Sequence, residues 1–437
     1  MINKIKNIII AGLFLATLFQ INTLWFSNGQ SLSFFGFFEG QNQSEMTEEA
    51  KQAFIKPFRI AVGHGAFEFS VHFGGLSGID EKHNIDRAVS QAASGGEFVQ
   101  SGAIVWNELL SQKCVIYDYA VSLPFGSYAE ALGGASNLAL SKIKTFDCVV
   151  LLPKFDSASI SCYFVNKTDG SYSEFSVKAD LNFWDNLNKK SGLKYIFPQD
   201  AGGGLFEGFL LVPDIEGSFS YPLIDKTNPY VVGGSVLINT TEKYVDAFFE
   251  NPAAKWRSGV APYTFSDDTT VVKYHSNDVL EYSSYKASEK KPEDLLTAYS
   301  MAFDVMNRDT TIANEIYLAE LTYADGNYYF GFDYVLDNFP VSLSGEKSKL
   351  TGMNHLIEIN ILSSNVTKYK RYVSSYEISE TEEKTTDLPY DEFLVLAGGY
   401  DGDELPVSGL SLRYLVGEEQ TLNLYWVLKG FTRAADL

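Results

Sequence analysis

Histidine is the side chain that metal sites and acid–base sites use most often. Three histidines follow one another closely in the sequence: His64 (between Gly63 and Gly65), His72 and His83. Zinc needs three or four ligands at closer, recurring spacings, and the chain has no His-Glu-x-x-His pattern. Cysteines, the other common zinc ligands, are not near these positions. The pattern therefore favours surface or strand histidines over a metal or catalytic cluster.

Other short patterns fall short of known catalytic or binding motifs. Ser127 follows a glycine but lacks the second glycine of a nucleophile elbow, and Gly202-Gly203-Gly204 is not followed by the Gly-Lys-Ser/Thr of a phosphate loop. No Ser-x-x-Lys pattern stands in a convincing helix-start context. The acidic run 401–404 lacks the twelve-residue calcium loop and its terminal glutamate. We therefore predict no catalytic residue, no cofactor and no metal ion, and we do not expect an enzyme.

The three cysteines, Cys114, Cys148 and Cys162, are an odd number and give no disulfide framework. Cys148 and Cys162 flank a predicted hairpin, so they would pair if the two strands place them opposite each other. Otherwise they are small buried hydrophobic residues. The sequence leaves both readings open.

The N-terminal segment 8–26 has no charged residue. As a helix these nineteen residues rise about 28 Å, close to the thickness of a bilayer core. Lys4 and Lys6 precede the segment, so the positive-inside rule predicts a cytoplasmic N-terminus and an extracytoplasmic remainder. The run exceeds a signal-peptide core and no Ala-x-Ala follows, which favours an uncleaved single-pass anchor in the cell membrane over a cleaved signal peptide.

Four polar or small residues share one face of this predicted membrane helix. Gly12, Ala16 and Gln20 are spaced by four, and Thr23 continues the stripe. Small residues at this spacing let two membrane helices approach closely, and an amide can hydrogen-bond across the contact. We predict a helix-pairing interface at these four residues. The alternative is that Gln20, Asn22 and Thr23 mark the membrane–water interface on the outer side of the bilayer.

Composition narrows the class of protein further. The chain has 437 residues and a formal net charge of −21, which would repel nucleic acid and anionic lipid. Its hydrophobic content of 45% and charged content of 20% are those of a folded protein. The aromatic content of 14% suits strands. We predict an α+β fold, in which antiparallel sheets with packed helices form an extracytoplasmic region behind the membrane helix.

Changes in local composition suggest how the chain is divided. The predicted units are a cytoplasmic N-terminus 1–7, a transmembrane helix 8–26, a juxtamembrane stalk 27–57, a first domain 58–200, a second domain 201–290 and a C-terminal domain 291–437. Helices are predicted at Thr47–Phe54, in stretches of Ile85–Glu108 broken at Gly95-Gly96, at Thr240–Phe249, at Pro292–Arg308 and near Tyr390–Leu396. Asp325-Gly326-Asn327 predicts a hairpin turn between strands.

Several segments, taken in order, resemble the YycH/YycI family of membrane-anchored regulators. YycH-like proteins carry a helix ending in Phe-x-x-Pro, a Tyr-Thr-Asp-like turn and a Leu-x-Tyr strand. The matching segments begin at Ala103 (Ala-Ile-Val-Trp-Asn-Glu-Leu-Leu), Tyr244 (Tyr-Val-Asp-Ala-Phe-Phe-Glu-Asn-Pro), Tyr263 (Tyr-Thr-Phe-Ser-Asp) and Val279 (Val-Leu-Glu-Tyr). Phe332-Asp-Tyr and His355-Leu-Ile-Glu-Ile resemble the C-terminal unit that YycH and YycI share. The longer turn at Tyr263 and the Gly-rich first unit indicate a distant, YycH-like member.

The resemblance implies a non-enzymatic accessory regulator of the sensor histidine kinase in the WalRK (YycFG) two-component system, which controls cell-wall metabolism. Its implied partners are that kinase, the membrane and a YycI-like paralogue, and a homo- or heterodimer fits this role. It leaves open whether the kinase is activated or inhibited. Two alternatives are a membrane-anchored cell-wall-active enzyme, which would need two carboxylates facing an open cleft, and an extracytoplasmic ligand-binding protein with a closed pocket lined by Tyr and Phe.

Overall fold

The computed structural model describes residues 46–74, 81–134, 143–187, 193–197, 209–214, 219–259, 262–285, 294–386 and 410–428. The predicted membrane helix 8–26, residues 1–7 and the stalk up to residue 45 lie outside these ranges, as do the helix predicted near Tyr390–Leu396 and the acidic run 401–404. Met46–Leu437 form one compact unit. The domain boundaries stay a prediction.

The described chain is α+β, with large antiparallel sheets and a few helices, and this part of the predicted fold is confirmed. The α-helices are α1 (Glu48–Ile55), α2 (Lys82–Gly95), α3 (Trp106–Leu110), α4 (Phe125–Ala131), α5 (Trp184–Leu187), α6 (Ile238–Val245), α7 (Leu295–Arg308) and α8 (Gly345–Thr351). Short 3₁₀ turns cover Phe155–Ser157, Asp246–Phe248 and Pro252–Ala254.

Within the described ranges, the first sheet has nine strands. They are β1 (Arg59–Gly65), β2 (Glu68–Phe73), β3 (Glu97–Ala103), β4 (Lys113–Pro124), β5 (Thr145–Lys154), β6 (Ser159–Val165), β7 (Ser171–Lys178), β8 (Lys194–Ile196) and β9 (Val212–Pro213). Their spatial order is β3, β7, β6, β5, β4, β1, β2, β8, β9, and every pair is antiparallel. Both faces of its central strands are buried.

The second sheet has thirteen strands in the described part of the chain. They are β10 (Phe219–Thr227), β13 (Trp256–Ser258), β14 (Tyr263–Ser266), β15 (Thr270–Tyr274), β16 (Val279–Ser284), β17 (Glu315–Ala324), β18 (Asn327–Leu336), β19 (Phe339–Leu343), β20 (Ile357–Leu362), β21 (Asn365–Tyr372), β22 (Ser375–Thr386), β23 (Leu410–Val416) and β24 (Thr421–Leu428), while β11 (Val231–Val232) and β12 (Ser235–Val236) form a separate small hairpin. The spatial order is β13, β14, β15, β16, β21, β20, β18, β19, β23, β24, β10, β22. Strand β17 stands outside this order and also pairs with β18.

Helix α7 covers the buried face of the second sheet. Its first turn is capped by Asp294, whose carboxylate accepts a hydrogen bond of 2.9 Å from the Thr297 amide, so the helix begins three residues later than the predicted Pro292. The Tyr299 ring lies 5.7 Å from Phe330 of β18 and 5.1 Å from Phe54 of α1. This one side chain therefore joins the two helices and the sheet in a common core.

The structure corrects the prediction of helical stretches through Ile85–Glu108. Helix α2 ends at Gly95, but residues Glu97–Ala103 form β3, an edge strand paired with β7. Its polar side chains hydrogen-bond to that neighbour: Gln100 to Glu174 at 2.9 Å and Ser101 to Ser173 at 3.0 Å. The strand lacks an apolar alternation because it lies at the sheet edge, and the sequence periodicity therefore did not reveal it.

The disulfide alternative for Cys148 and Cys162 is wrong. In the β5–β6 register, Cys148 pairs with Val165 and Cys162 pairs with Leu151. Because side chains alternate along a strand, the two thiols point to opposite faces of the sheet. All three cysteines are free and buried, and burial raises the pKa of each thiol. They are packing residues of the core.

A buried carboxylate, Asp118 of β4, binds two cations within the first sheet. Its Oδ2 accepts from Arg59 Nε at 2.7 Å, and its Oδ1 accepts from Lys167 Nζ at 2.5 Å. Burial raises the pKa of Asp118, but the two cations outweigh it and the net pKa is lowered. Asp118 therefore remains ionised and holds together β1, β4 and the turn after β6.

Candidate functional site

The residues predicted to form a membrane-helix interface, Gly12, Ala16, Gln20 and Thr23, lie outside the described residues, so that interface stays a prediction. Among the helices of the described ranges, none has the length and apolar character needed to cross a bilayer.

The three N-terminal histidines are placed separately. His64 Nε2 lies 2.8 Å from Ser70 Oγ in the β1–β2 hairpin, His72 pairs in register with Ile60, and His83 is on the exposed surface of α2. Burial lowers the pKa of His72. Within the described ranges, no group of three or more His, Cys, Asp or Glu side chains is arranged to hold a metal ion.

The most organised polar constellation lies on the face of the second sheet opposite the one that α7 covers, where the lysines are partly exposed and Glu358 is buried. One residue from each of six neighbouring strands falls in a single cross-strand row, because each is directly paired with the next in the sheet register. Directly opposed residues share a face. In order across β15, β16, β21, β20, β18 and β17, the row is Lys273, Glu281, Lys370, Glu358, Gly331 and Glu320.

The charges alternate along this row, which we call the charged row. Lys273 and Lys370 flank Glu281, and Glu358 follows Lys370. Lys368, one pleat along from Lys370, also binds Glu281 with 3.4 Å between Nζ and Oε1. Burial raises the pKa of Glu281, but Lys368 and Lys370 outweigh it and the net pKa is lowered. The row is thus a set of opposite-charge neighbours across the sheet.

Gly331 interrupts the alternation, and His355 fills the space. A Cβ at Gly331 would lie 2.3 Å from Cδ2 of His355, so the imidazole occupies the place where a side chain would stand. His355 comes from the turn that precedes β20. Glycine at position 331 is therefore required by the close approach of this ring.

Two carboxylates hold the His355 ring. Nδ1 is 3.0 Å from Asp333 Oδ2 and Nε2 is 3.0 Å from Glu320 Oε2. A carboxylate accepts hydrogen bonds, so this arrangement favours the imidazolium, which donates from both nitrogens. Burial lowers the pKa of His355, but the contacts with Asp333 and Glu320 outweigh it and raise the pKa to about 9. His355 therefore supplies the positive charge missing at Gly331, and the alternation is complete.

A β-bulge positions one of these two carboxylates. In the β17–β18 pair, Leu318 faces Phe332 but Glu320 faces Gly331, so Ala319 is an extra residue in β17. Without the bulge, Ala319 would stand opposite Gly331. Bulges commonly re-aim a side chain at a sheet edge. Here the extra residue turns Glu320 toward the imidazole.

Replacing Gly331 with alanine should therefore destabilise the fold. The added methyl group must displace a ring that two hydrogen bonds fix, and overpacking of this kind costs about 1–3 kcal/mol. Chemical denaturation of the full chain measures the loss. The matched control is Gly417→Ala, where a Cβ meets no atom within 4 Å. Equal stability of the two variants would contradict the role assigned to His355.

Neither a protein-family model nor the sequence of a curated protein matches this chain. The class defined by the fold is an α+β protein with two large, mainly antiparallel sheets. One solved structure that it resembles is described as "Crystal Structure of YycH from Bacillus subtilis", with a TM-score of 0.58 and 11% sequence identity. The match covers 90% of this chain and 98% of that chain. The chain has a YycH-like fold, as the sequence resemblance predicted.

Sequence reasoning missed the constellation around His355. The segments containing Asp333 and His355 were recognised only as part of a family resemblance. The polar residues that alternate along β21, Lys368 and Lys370, are a signal that this strand has an open face. The identity of their cross-strand neighbours depends on register, which the sequence alone does not supply.

Proposed function

We propose that the chain is a non-enzymatic, membrane-anchored regulator of the sensor histidine kinase in the YycFG two-component system. The observation that carries the proposal is the YycH-like fold, because the similarity covers 98% of the YycH chain rather than one shared subdomain. The resemblance of the sequence segments to the YycH/YycI family supports the same role independently of the fold.

The N-terminal sequence supports a membrane location. Its uncharged segment 8–26 follows two lysines, as expected for a single-pass anchor with the folded region outside the cell. Gly12, Ala16 and Gln20 then form a face on which a kinase transmembrane helix packs. A regulator of this kind acts by contact, so it needs a surface and no catalytic group.

The charged row is the proposed extracytoplasmic contact. Part of it is open to solvent: the Glu320 side chain is 42% exposed and that of Lys368, beside the row, is 40% exposed. Alternating charges on a rigid sheet give orientation and partner discrimination more than affinity. In this proposal, the membrane helix supplies most of the binding energy and the charged row sets how the kinase ectodomain is oriented.

The combined replacement of Gly12 by isoleucine and Gln20 by leucine tests the membrane part of the proposal. It blocks close helix approach and removes the amide, and the loss of about 1–2 kcal/mol corresponds to roughly tenfold weaker association. Autophosphorylation of the kinase co-reconstituted with the chain in vesicles should move toward the value of the kinase alone. The control is Asn22→Leu, because helical spacing predicts that Asn22 lies off the stripe formed by Gly12, Ala16, Gln20 and Thr23. Kinase activity that is unchanged in the double variant would overturn the helix-pairing proposal.

A further inference from the structure

One end of the second sheet carries exposed aromatic and aliphatic side chains. Among the described residues, the strongly exposed tryptophan and tyrosine side chains all lie there: Trp256 of β13 is 52% exposed, Tyr285 directly after β16 is 73% exposed, and Tyr323 of β17 is 56% exposed. Leu362, the last residue of β20, is 44% exposed. We call these four residues the aromatic end.

The strand register places the aromatic end on one side of the charged row. The row extends through β14 to Ser258 of β13. Counted along the strands from this row, the four residues lie between two (Trp256) and four (Tyr285 and Leu362) positions away, all in the same direction. Each strand residue spans about 3.3 Å, so the four lie in one band about 7 Å deep.

The ring of Tyr323 is held in place by a neighbouring ring. Tyr323 pairs in register with Tyr328 of β18, and the centres of the two rings lie 4.5 Å apart. The tight turn at Asp325-Gly326 joins the two strands directly beyond them. A side chain that is already ordered loses little conformational entropy on binding, so this ring is prepared for a contact.

The residue types at the aromatic end are those of a membrane boundary. Exposed apolar patches on folded proteins mark contacts with other proteins or with membranes. Tryptophan and tyrosine are enriched where a bilayer meets water, because the ring lies at headgroup level while its N–H or O–H group reaches polar partners. The composition therefore favours a lipid surface as the partner.

The covalent connection keeps the folded region close to the bilayer. Nineteen residues, 27–45, separate the predicted membrane segment from Met46, the first described residue, and fully extended they span at most about 70 Å. A compact unit of this size has a radius of gyration of about 21 Å, so the bilayer stays within reach of its surface. We propose that the aromatic end docks on the outer surface of the cell membrane, with its three aromatic rings at headgroup level.

Charge makes neutral headgroups the expected lipid partner. The turns at this end carry the exposed carboxylates of Asp268 and Asp325, and Lys368 behind them is paired with Glu281. Anionic lipid therefore gains no electrostatic attraction here, and the contact depends on the rings.

The proposal rests on the membrane anchor of the proposed function and adds an orientation to it. With the aromatic end on the bilayer, the charged row lies about 7–13 Å above the surface. At this height the row stands beside the point at which a partner's membrane helix leaves the bilayer. The lipid contact would thus hold the charged row level with the membrane-proximal part of the kinase.

A lipid-borne quencher tests the docking. Leu362→Cys places one reactive thiol at the aromatic end, because the three native cysteines are buried. The full chain with a fluorophore on this thiol is reconstituted in phosphatidylcholine vesicles that contain a headgroup nitroxide lipid. The matched control is Leu350→Cys, at a leucine that is 57% exposed and whose carbonyl accepts from Asn277 in the β15–β16 turn, at the opposite end of these strands.

The nitroxide should quench most of the emission at position 362 and leave the emission at position 350 unchanged. Equal quenching at the two positions, or quenching at 362 that requires added phosphatidylglycerol, would overturn the proposal. A probe at 362 that responds only when the kinase is co-reconstituted would assign the aromatic end to a protein contact instead. If Leu362→Cys folds poorly, Tyr285→Cys is a second reporter with the same expected result.

Vesicle flotation separates this proposal from the anchor on which it rests. A chain that floats with the vesicles but shows no quenching at position 362 refutes the docking alone. A chain that does not float refutes the membrane anchor as well.

Discussion

Replacing Asp118 with asparagine is expected to lower the free energy of unfolding by about 3–5 kcal/mol. The variant keeps the shape of the side chain but removes the negative charge between Arg59 and Lys167, whose nitrogens lie 2.7 Å and 2.5 Å from its oxygens. Arg59 then loses this counter-ion within the sheet, and Lys167 keeps the attraction of Asp147. Breaking a buried ion pair from one side costs more than the pair itself contributes, because the remaining charges stay desolvated.

Urea denaturation of the full chain at neutral pH measures this effect. The control, Asp156→Asn, makes the same chemical change on the exposed turn between β5 and β6 and should alter stability by less than about 0.5 kcal/mol. The Asp118 pKa is lowered in the folded state, so its stabilisation is present above the unfolded pKa and is lost as the pH falls through the folded pKa. Similar stability of the two variants would contradict the stabilising role assigned to the ion pairs of Asp118 with Arg59 and Lys167.

The second large effect is a loss of stability at alkaline pH that depends on His355. Its pKa rises from 6.5 in the unfolded chain to about 9 in the fold. A raised pKa contributes stability that is fully present below the unfolded pKa and is lost as the pH rises through the folded pKa. The difference corresponds to roughly 3 kcal/mol of stability, which is lost as the pH rises from 6.5 through about 9.

The replacement His355→Gln isolates this contribution. Glutamine can still hydrogen-bond but carries no titrating charge, so the variant should be less stable near pH 6 and lose much less stability as the pH rises. The control is His83→Gln on the exposed surface of α2, which should retain the alkaline loss of the parent. Parallel pH–stability curves for His355→Gln and the parent would exclude His355 as the source.

The sequence predicted the elements whose signals are local. Helix α7 was predicted from its apolar stripe and acidic start, and the β17–β18 hairpin from Asp325-Gly326, whose φ angles of 52° and 79° are those of a tight turn with left-handed residues. Each signal lies within one element, so no knowledge of the partner strands was needed. The α+β class was likewise predicted from signals that lie within single elements.

The charged groups could not be predicted because their partners are distant in the chain. Asp118 lies in a strand whose neighbours are almost all apolar, and its two cations are 59 and 49 residues away. His355 meets Glu320 only because Ala319 forms a bulge and Gly331 lacks a side chain. Register and bulges arise from pairing across the whole sheet, and local periodicity does not report them.

The most direct test of the central proposal is whether the kinase binds the chain in the membrane. The affinity-tagged full chain would be purified in mild detergent from membranes that also contain the histidine kinase of the YycFG system. We predict that the kinase co-purifies with the parent chain and the Asn22→Leu control, and roughly tenfold less with the Gly12→Ile, Gln20→Leu variant. Recovery of the kinase no greater than from membranes lacking the chain would contradict the proposed function.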